Sequence, residues 1–273
     1  MAEQKKTFKK LTFKVAEFGG ETMGIFDWGK GRDEIFNRYR AIEKIDDPEQ
    51  MMSQLQKLID EDPEFIDAYN RLGWWEYALH NFGNAISLFY FAYEIGSKTI
   101  PIDFQGKIDW GFLENRPFLS TMEGLAQSLL SVGHHEDAIE LCEEMLRYNP
   151  ADNQAIRALI IENYLHIGDY KNILKICKMF TDDILPDTLY GKFIAHYRLN
   201  DLDKARDSLK NAYVYAPNIA HEVIKKKHRH VKDELLTVTI AGSAEEAIDY
   251  WNRTRHIWNE PGIVSYVKSN LDL

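Results

Sequence analysis

The stretch Ile66–Ala92, IDAYNRLGWWEYALHNFGNAISLFYFA, decides the fold. Tyr69, the Leu72-Gly73 pair, Ala85, Phe89 and Ala92 fall where two antiparallel helices joined by a short turn would pack. Where the two backbones approach most closely, only Ala, Gly or Ser leaves room. Internal recurrence of such a unit is the first thing to test, because it sets the architecture. A second copy starts near Leu119 and carries Met122, Leu125-Ala126, Gly133, Ala138, Cys142, Met145 and Pro150. A third starts near Asn153, with Leu159, Gly168-Asp169-Tyr170 and Pro186; Ile173 replaces its small residue, so this copy is degenerate. A fourth runs from Pro186 through Leu189, Phe193, Ala205, Leu209 and Ala212 to Pro217. Proline punctuates the series because it lacks an N–H and disfavours helix in the residue before it.

These residues resemble the tetratricopeptide repeat superfamily, whose unit is a helix–turn–helix of 34 residues. The resemblance covers roughly Arg32 to Pro217. It implies an all-α fold, a TPR-like α-solenoid in which helix pairs form a right-handed superhelix. The repeats are expected over 32–242, with clear copies near 66–99, 119–152, 153–186 and 186–219. Glu49–Asp60 reads as a second helix of a first unit, with Met52, Leu55, Leu58 and Ile59 on one face. Residues 243–273 read as capping helices, the first opened by Ser243 three residues before Glu246. A narrower likeness lies in Trp110–Leu119, Gly124-Leu125-Ala126, Pro150–Gln154, Gly242–Ala247, Trp258 and Pro261-Gly262. These are similar to segments of the suppressor of tumorigenicity seven family and its bacterial repeat relatives. That likeness implies shared repeat architecture and no reaction.

Composition narrows the function. Hydrophobic residues are 45% and charged residues 28% of 273, ordinary for a globular chain. Lys+Arg total 33 against 43 Asp+Glu, a net charge of −10, so nucleic acid is not expected as a partner. The basic run Lys225–His230 reads as a solvated surface. No stretch has the length and apolarity of a membrane span, and no apolar core follows Met1, so no membrane partner and a cytoplasmic location are expected. Cys142 and Cys177 occupy equivalent positions of second helices and read as small buried hydrophobes.

Two segments do not fit a plain repeat array. Residues 97–117 form an insertion between copies, with Ile100, Ile102, Phe104, Ile108, Trp110 and Phe112 too apolar for a solvated linker. Such a segment is expected to pack back on the repeats; the functional alternative is a partner-binding insertion. Residues 1–31 read as an N-terminal arm in which Leu11, Phe13 and Val15 alternate with polar residues, a lone strand beside Lys5, Lys6, Lys9 and Lys10.

The superfamily resemblance also implies where a ligand sits, on exposed first-helix positions lining the concave side. These map to Asn70, Trp74, Tyr77, Glu123, Gln127, Arg157, Tyr164, Tyr190, Tyr197 and Arg198. Aromatic residues and Arg are the types that dominate interface energy. The expected function is therefore a non-catalytic scaffold that binds another protein or peptide. The alternative is a structural subunit self-associating through the insertion or the arm, a homo-oligomer. The Lys/Asn/Arg clamp of chaperone-tail binders is missing.

No cofactor, metal or catalysis is expected. Phosphate loops, Gly-x-Ser-x-Gly and His-Glu-x-x-His are absent from the sequence. His228 and His230 lack the further ligands of a structural zinc site. The adjacent acids Glu143-Glu144 and Glu245-Glu246 cannot face each other on a helix.

Overall fold

The computed structural model describes residues 10–29, 31–42, 44–229 and 240–273. Lys5, Lys6, Lys9 and His230 lie outside them. Among the described residues are two strands, β1 (Thr12–Phe18) and β2 (Glu21–Asp27), and thirteen α-helices. The chain divides into two compact units, the first running to Ile156 and the second from Arg157 to Leu273.

In the first unit the helices come in antiparallel pairs: α1 (Asp33–Ile42) with α2 (Pro48–Glu61), α3 (Ile66–Ala78) with α4 (Phe82–Ser97), and α5 (Arg116–Ser131) with α6 (His135–Tyr148). Asp47 caps α2 by accepting from the Glu49 and Gln50 amides at 2.9 and 3.2 Å. The small residues read from the sequence do the work expected of them. Phe89 of α4 is fully buried, with its ring between Gly73 of α3 and Gly124 of α5. A Cβ at Gly73 would lie 2.7 Å from that ring, and one at Gly124 2.3 Å from it. Trp74 meets the same ring edge-on, at 5.2 Å between centroids. Gly96 likewise leaves room for Phe118, whose ring would sit 2.3 Å from a Cβ there.

The lone strand anticipated at Leu11–Ala16 has a partner. β1 pairs antiparallel with β2, Thr12 opposite Asp27 and Phe18 opposite Glu21. Gly19 and Gly20 make the turn with φ of 61° and 84°, which glycine adopts without strain and a two-residue hairpin turn demands at both positions. The hairpin and the 97–117 insertion satisfy each other. Gly24 N–H donates to the Lys107 carbonyl at 2.7 Å, and Lys107 N–H donates to the Thr22 carbonyl at 2.9 Å. Phe13 meets Phe26 and Phe104 edge-on, both at 5.1 Å. Asn115, fully buried in a single 3-10 turn (Leu113–Asn115), accepts from Phe26 N–H at 3.1 Å and donates to the Gly24 and Asp109 carbonyls at 3.0 Å each. Phe13 and Phe104 of the arm and the insertion are thus spent on one another, while Val15 and Ile102 stay exposed.

Asn115 supplies three of the hydrogen bonds that close this clasp. Asn115→Ala leaves the Phe26 amide and two carbonyls without their partner, at about 1–3 kcal/mol for each buried group left unsatisfied. We expect a loss of about 3 kcal/mol in urea unfolding, with hydrogen exchange at Gly24 and Phe26 accelerated before that of α3.

In the second unit α7 (Ile156–Ile167) precedes α8 (Tyr170–Met179), α9 (Pro186–Arg198) pairs with α10 (Leu202–Tyr215), and a short α11 (Pro217–Val223) follows. The degenerate third copy keeps its close contact by moving the small residue. Ile173 stays large on α8, and Gly191 of α9 supplies the room, with its missing Cβ 2.7 Å from Ile161 and 3.7 Å from Ile173. Two helices end the chain, α12 (Ala244–Trp258) and α13 (Ile263–Leu271). Ser243 caps α12 by accepting from Glu246 N–H at 3.1 Å; the Glu246 carboxylate returns to Gly242 N–H at 2.7 Å, one residue before the cap. Cys142 and Cys177 are both buried; burial pushes the Cys177 thiol up to about 12, and that of Cys142 higher.

Candidate binding faces

The ten residues named from the sequence fall into two different environments. In the first unit, Asn70, Trp74 and Tyr77 lie along α3 at spacings of one turn, opposite Ser120, Glu123, Gln127 and Ser131 on α5. The two rows are stitched together. Asn70 Nδ2 donates to the Pro117 carbonyl at 2.7 Å, and Thr121 Oγ1 donates to Asn70 Oδ1 at 2.8 Å. Asn70 is thus buried and holds the helices rather than presenting its amide. Trp74 Nε1 reaches Ser120 Oγ at 3.4 Å, Ser131 Oγ reaches the Tyr77 hydroxyl at 3.4 Å, and the two rings meet edge-on at 5.6 Å. Trp74, Tyr77, Glu123 and Gln127 each keep part of their surface in water.

Glu123 is the unusual member. Gln154 Nε2 donates to its Oε2 at 2.6 Å, and Gln127 Nε2 to its Oε1 at 3.3 Å. The turn that carries Gln154 is fixed by Asp152, whose carboxylate accepts from Ile156 N–H at 2.6 Å. Desolvation raises the Glu123 pKa above the usual carboxylate range, against the pull of the Gln154 hydrogen bond.

In the second unit the corresponding face is filled by the chain itself. Tyr164 and Tyr190 are buried, and Tyr190 gives its hydroxyl to the Ala216 carbonyl at 2.9 Å. Tyr250 and Trp258 of α12 pack on Tyr190 at 5.9 and 6.3 Å, and Tyr266 of α13 packs on Tyr197 at 5.0 Å. Arg198 pairs with Glu260 and lies 5.9 Å from the Tyr170 ring. Arg157 is held bidentately by Asp183 at 2.7 and 3.1 Å. At the centre, Arg253 of α12 reaches Glu162 of α7 at 2.5 Å and Asp187 of α9 at 2.9 Å. Both acids are buried.

Tyr164 and Tyr190 therefore line no surface, and the half-buried Tyr197, Arg198 and Arg157 are engaged by Tyr266, Glu260 and Asp183. The sequence did carry a signal. A capping helix keeps one polar face, yet α12 buries Ala247, Ile248, Tyr250, Trp251, Thr254, Ile257 and Trp258, a stripe too wide for an outer layer. The basic run is partly spent internally as well. Glu222 holds Lys225 and lies 3.0 Å from His228 Nδ1, and the His228 ring stacks on Trp251 at 3.6 Å, while Lys226, Lys227 and Arg229 stay exposed.

Comparison with known proteins places the chain. No curated protein matches it. Among solved structures it is similar to MamA AMB-1 P212121, with a TM-score of 0.41 and 14% identity over 75% of this chain and 96% of that one. It is also similar to MamA MSR-1 C2, with a TM-score of 0.40 and 12% identity over 75% and 95%. The family model that matches, over residues 30–273, is Tcf25, described as Transcriptional repressor TCF25. Two expectations are corrected by that match. The family is this one and not that of suppressor of tumorigenicity seven. The exclusion of nucleic acid is also withdrawn, because the family's description ties it to transcription. Net charge was a poor guide: a total of −10 averages over the chain and says nothing of local runs such as Lys225–Arg229. With all but the first 29 residues inside the match, the chain belongs to the Transcriptional repressor TCF25 family.

Proposed function

We propose that this chain is a non-catalytic protein-binding scaffold and that its working surface is the α3–α5 face of the first unit. One contrast carries the reading. Trp74, Tyr77, Glu123 and Gln127 keep part of their surface in water, while in the second unit Tyr164 and Tyr190 are buried and the half-buried Tyr197, Arg198 and Arg157 are already engaged by Tyr266, Glu260 and Asp183. Two aromatic rings fixed by hydrogen bonds lose little freedom on binding, and such residues dominate interface energy. A segment of a partner protein, laid along α3 and α5, would meet rings on one side and amide and carboxylate groups on the other. In a family described by transcriptional repression, such a surface would serve assembly rather than chemistry.

The test uses random 15-residue peptides displayed on phage and selected on the whole chain. Trp74→Leu combined with Tyr77→Ala should weaken the selected peptides by about 30-fold or more, the loss of a hot spot worth at least 2 kcal/mol. Unchanged affinities, with thermal unfolding still cooperative, would refute the reading.

A further inference from the structure

The second unit shows how a first-helix row of this chain receives another helix. Arg253 enters between two carboxylates, Glu162 of α7 and Asp187 of α9, and Tyr250 of its own helix packs on Tyr190 of α9 at 5.9 Å. The seat is acidic and aromatic, and what it takes is a cation on a helix.

The first unit has the same ingredients without the cation. Among the described residues, the side chains holding Glu123 are two neutral amides, those of Gln127 and Gln154. Its neighbour one turn back, Ser120, touches Trp74. The facing rows, Asn70, Trp74 and Tyr77 on α3 and Ser120, Glu123, Gln127 and Ser131 on α5, carry one acid, Glu123, and not one Lys or Arg. A carboxylate kept partly dry, with no opposing charge, costs stability, which an arriving cation would return.

We propose that the α3–α5 face recognises a basic partner segment through an Arg or Lys that docks on Glu123 beside Trp74 and Tyr77, as Arg253 docks on Glu162 and Asp187. The inference rests on the scaffold reading and deepens it. The cation replaces the Gln127 contact at Oε1, the longer of the two at 3.3 Å, while Gln154 continues to hold Oε2. Charge-assisted hydrogen bonds are worth about twice neutral ones, and an Arg fork can take both oxygens' outer lone pairs. The net charge of −10 favours encounter with such a partner.

The experiment is a double-mutant cycle on the whole chain, with peptides from the phage selection as probes. The selected peptides should share one Arg or Lys, and replacing it with Gln should weaken binding by about 30-fold, the range of a hydrogen bond between charged groups. Glu123→Gln should give the same loss, and the two losses should not add. This variant keeps the shape, and its carbonyl still accepts from Gln154. It should therefore melt no lower than the parent at pH 7, and the difference should close as the pH falls through the raised range in which the parent carboxyl also becomes neutral. Peptides that Trp74→Leu/Tyr77→Ala weakens but that show no cation preference, or that bind Glu123→Gln equally well, overturn the inference and leave the scaffold reading intact. Peptides insensitive to all three substitutions overturn both.

Discussion

Arg253→Leu should cost about 3 kcal/mol of unfolding free energy, because breaking a buried ion pair from one side leaves its partners charged and dry. Two acids are orphaned at once. Glu162 and Asp187 expose 7% and 8% of their surface, and Arg253 is the cation paired with both among the described residues. Burial already raises the Glu162 pKa against the pull of Arg253, so in the variant it should rise further. The figure sits at the low end of the range for buried pairs because the Arg253 side chain keeps 33% of its surface in water. The loss should shrink as the pH is lowered through the raised Glu162 pKa, since a neutral acid tolerates burial. Adding Glu162→Gln and Asp187→Asn to Arg253→Leu should recover most of it. A flat pH dependence, or no recovery in the triple variant, would mean that Arg253 acts through packing of its stem.

The second large effect belongs to the first unit. Phe89→Ala should cost about 3–5 kcal/mol, as expected for removing a buried ring whose site cannot collapse. The site cannot collapse because Gly73 and Gly124 present bare backbone to the ring. The opposite change is informative too. Gly124→Ala would place a Cβ 2.3 Å from the Phe89 ring, whose Cε1–Cζ edge is already packed against Gly73 as well; about 1–3 kcal/mol of overpacking follows. In a Phe89→Leu background that penalty should fall, a coupling that chemical denaturation of the four proteins would measure. Independent, additive losses would contradict the wedge.

The wedge is also the part of the fold most legible in the sequence. Leu72-Gly73, Ala85, Phe89 and Ala92 specify it directly, because close backbone approach has so few chemical solutions. Where the copy is degenerate the rule still holds but moves. Ile173 violates the pattern on α8, and Gly191 restores it from α9, a trade that no single-copy template reveals. The hairpin partner was less visible. Gly19-Gly20 between two alternating runs is a turn signal, yet Glu21–Asp27 carries Gly24, which weakens its strand character until the Phe104 and Lys107 neighbours are seen to need the space.

The candidate faces were legible only by halves. Position along the first helix places Trp74, Tyr77, Glu123 and Gln127 on facing rows of α3 and α5, half-buried. The same rule sent Tyr164, Tyr190 and Tyr197 to an equivalent surface, without regard to what the rest of the chain would lay upon it. Occupancy is a tertiary property. It depends on α12 and α13, which come some fifty residues after α9 in the sequence and share no spacing with it.

The clasp around Asn115 has a consequence for how the molecule is made. Phe26 must wait for a partner 89 residues further along the chain, whereas each helix pair finds its neighbour within a few tens of residues. At ribosomal speeds of about 5–20 residues per second, that delay is on the order of ten seconds. Throughout it, Phe13 and Phe26 emerge without cover. A nascent chain stalled before Asn115 would present a sticky hairpin to holding chaperones, and one synthesised past it would not.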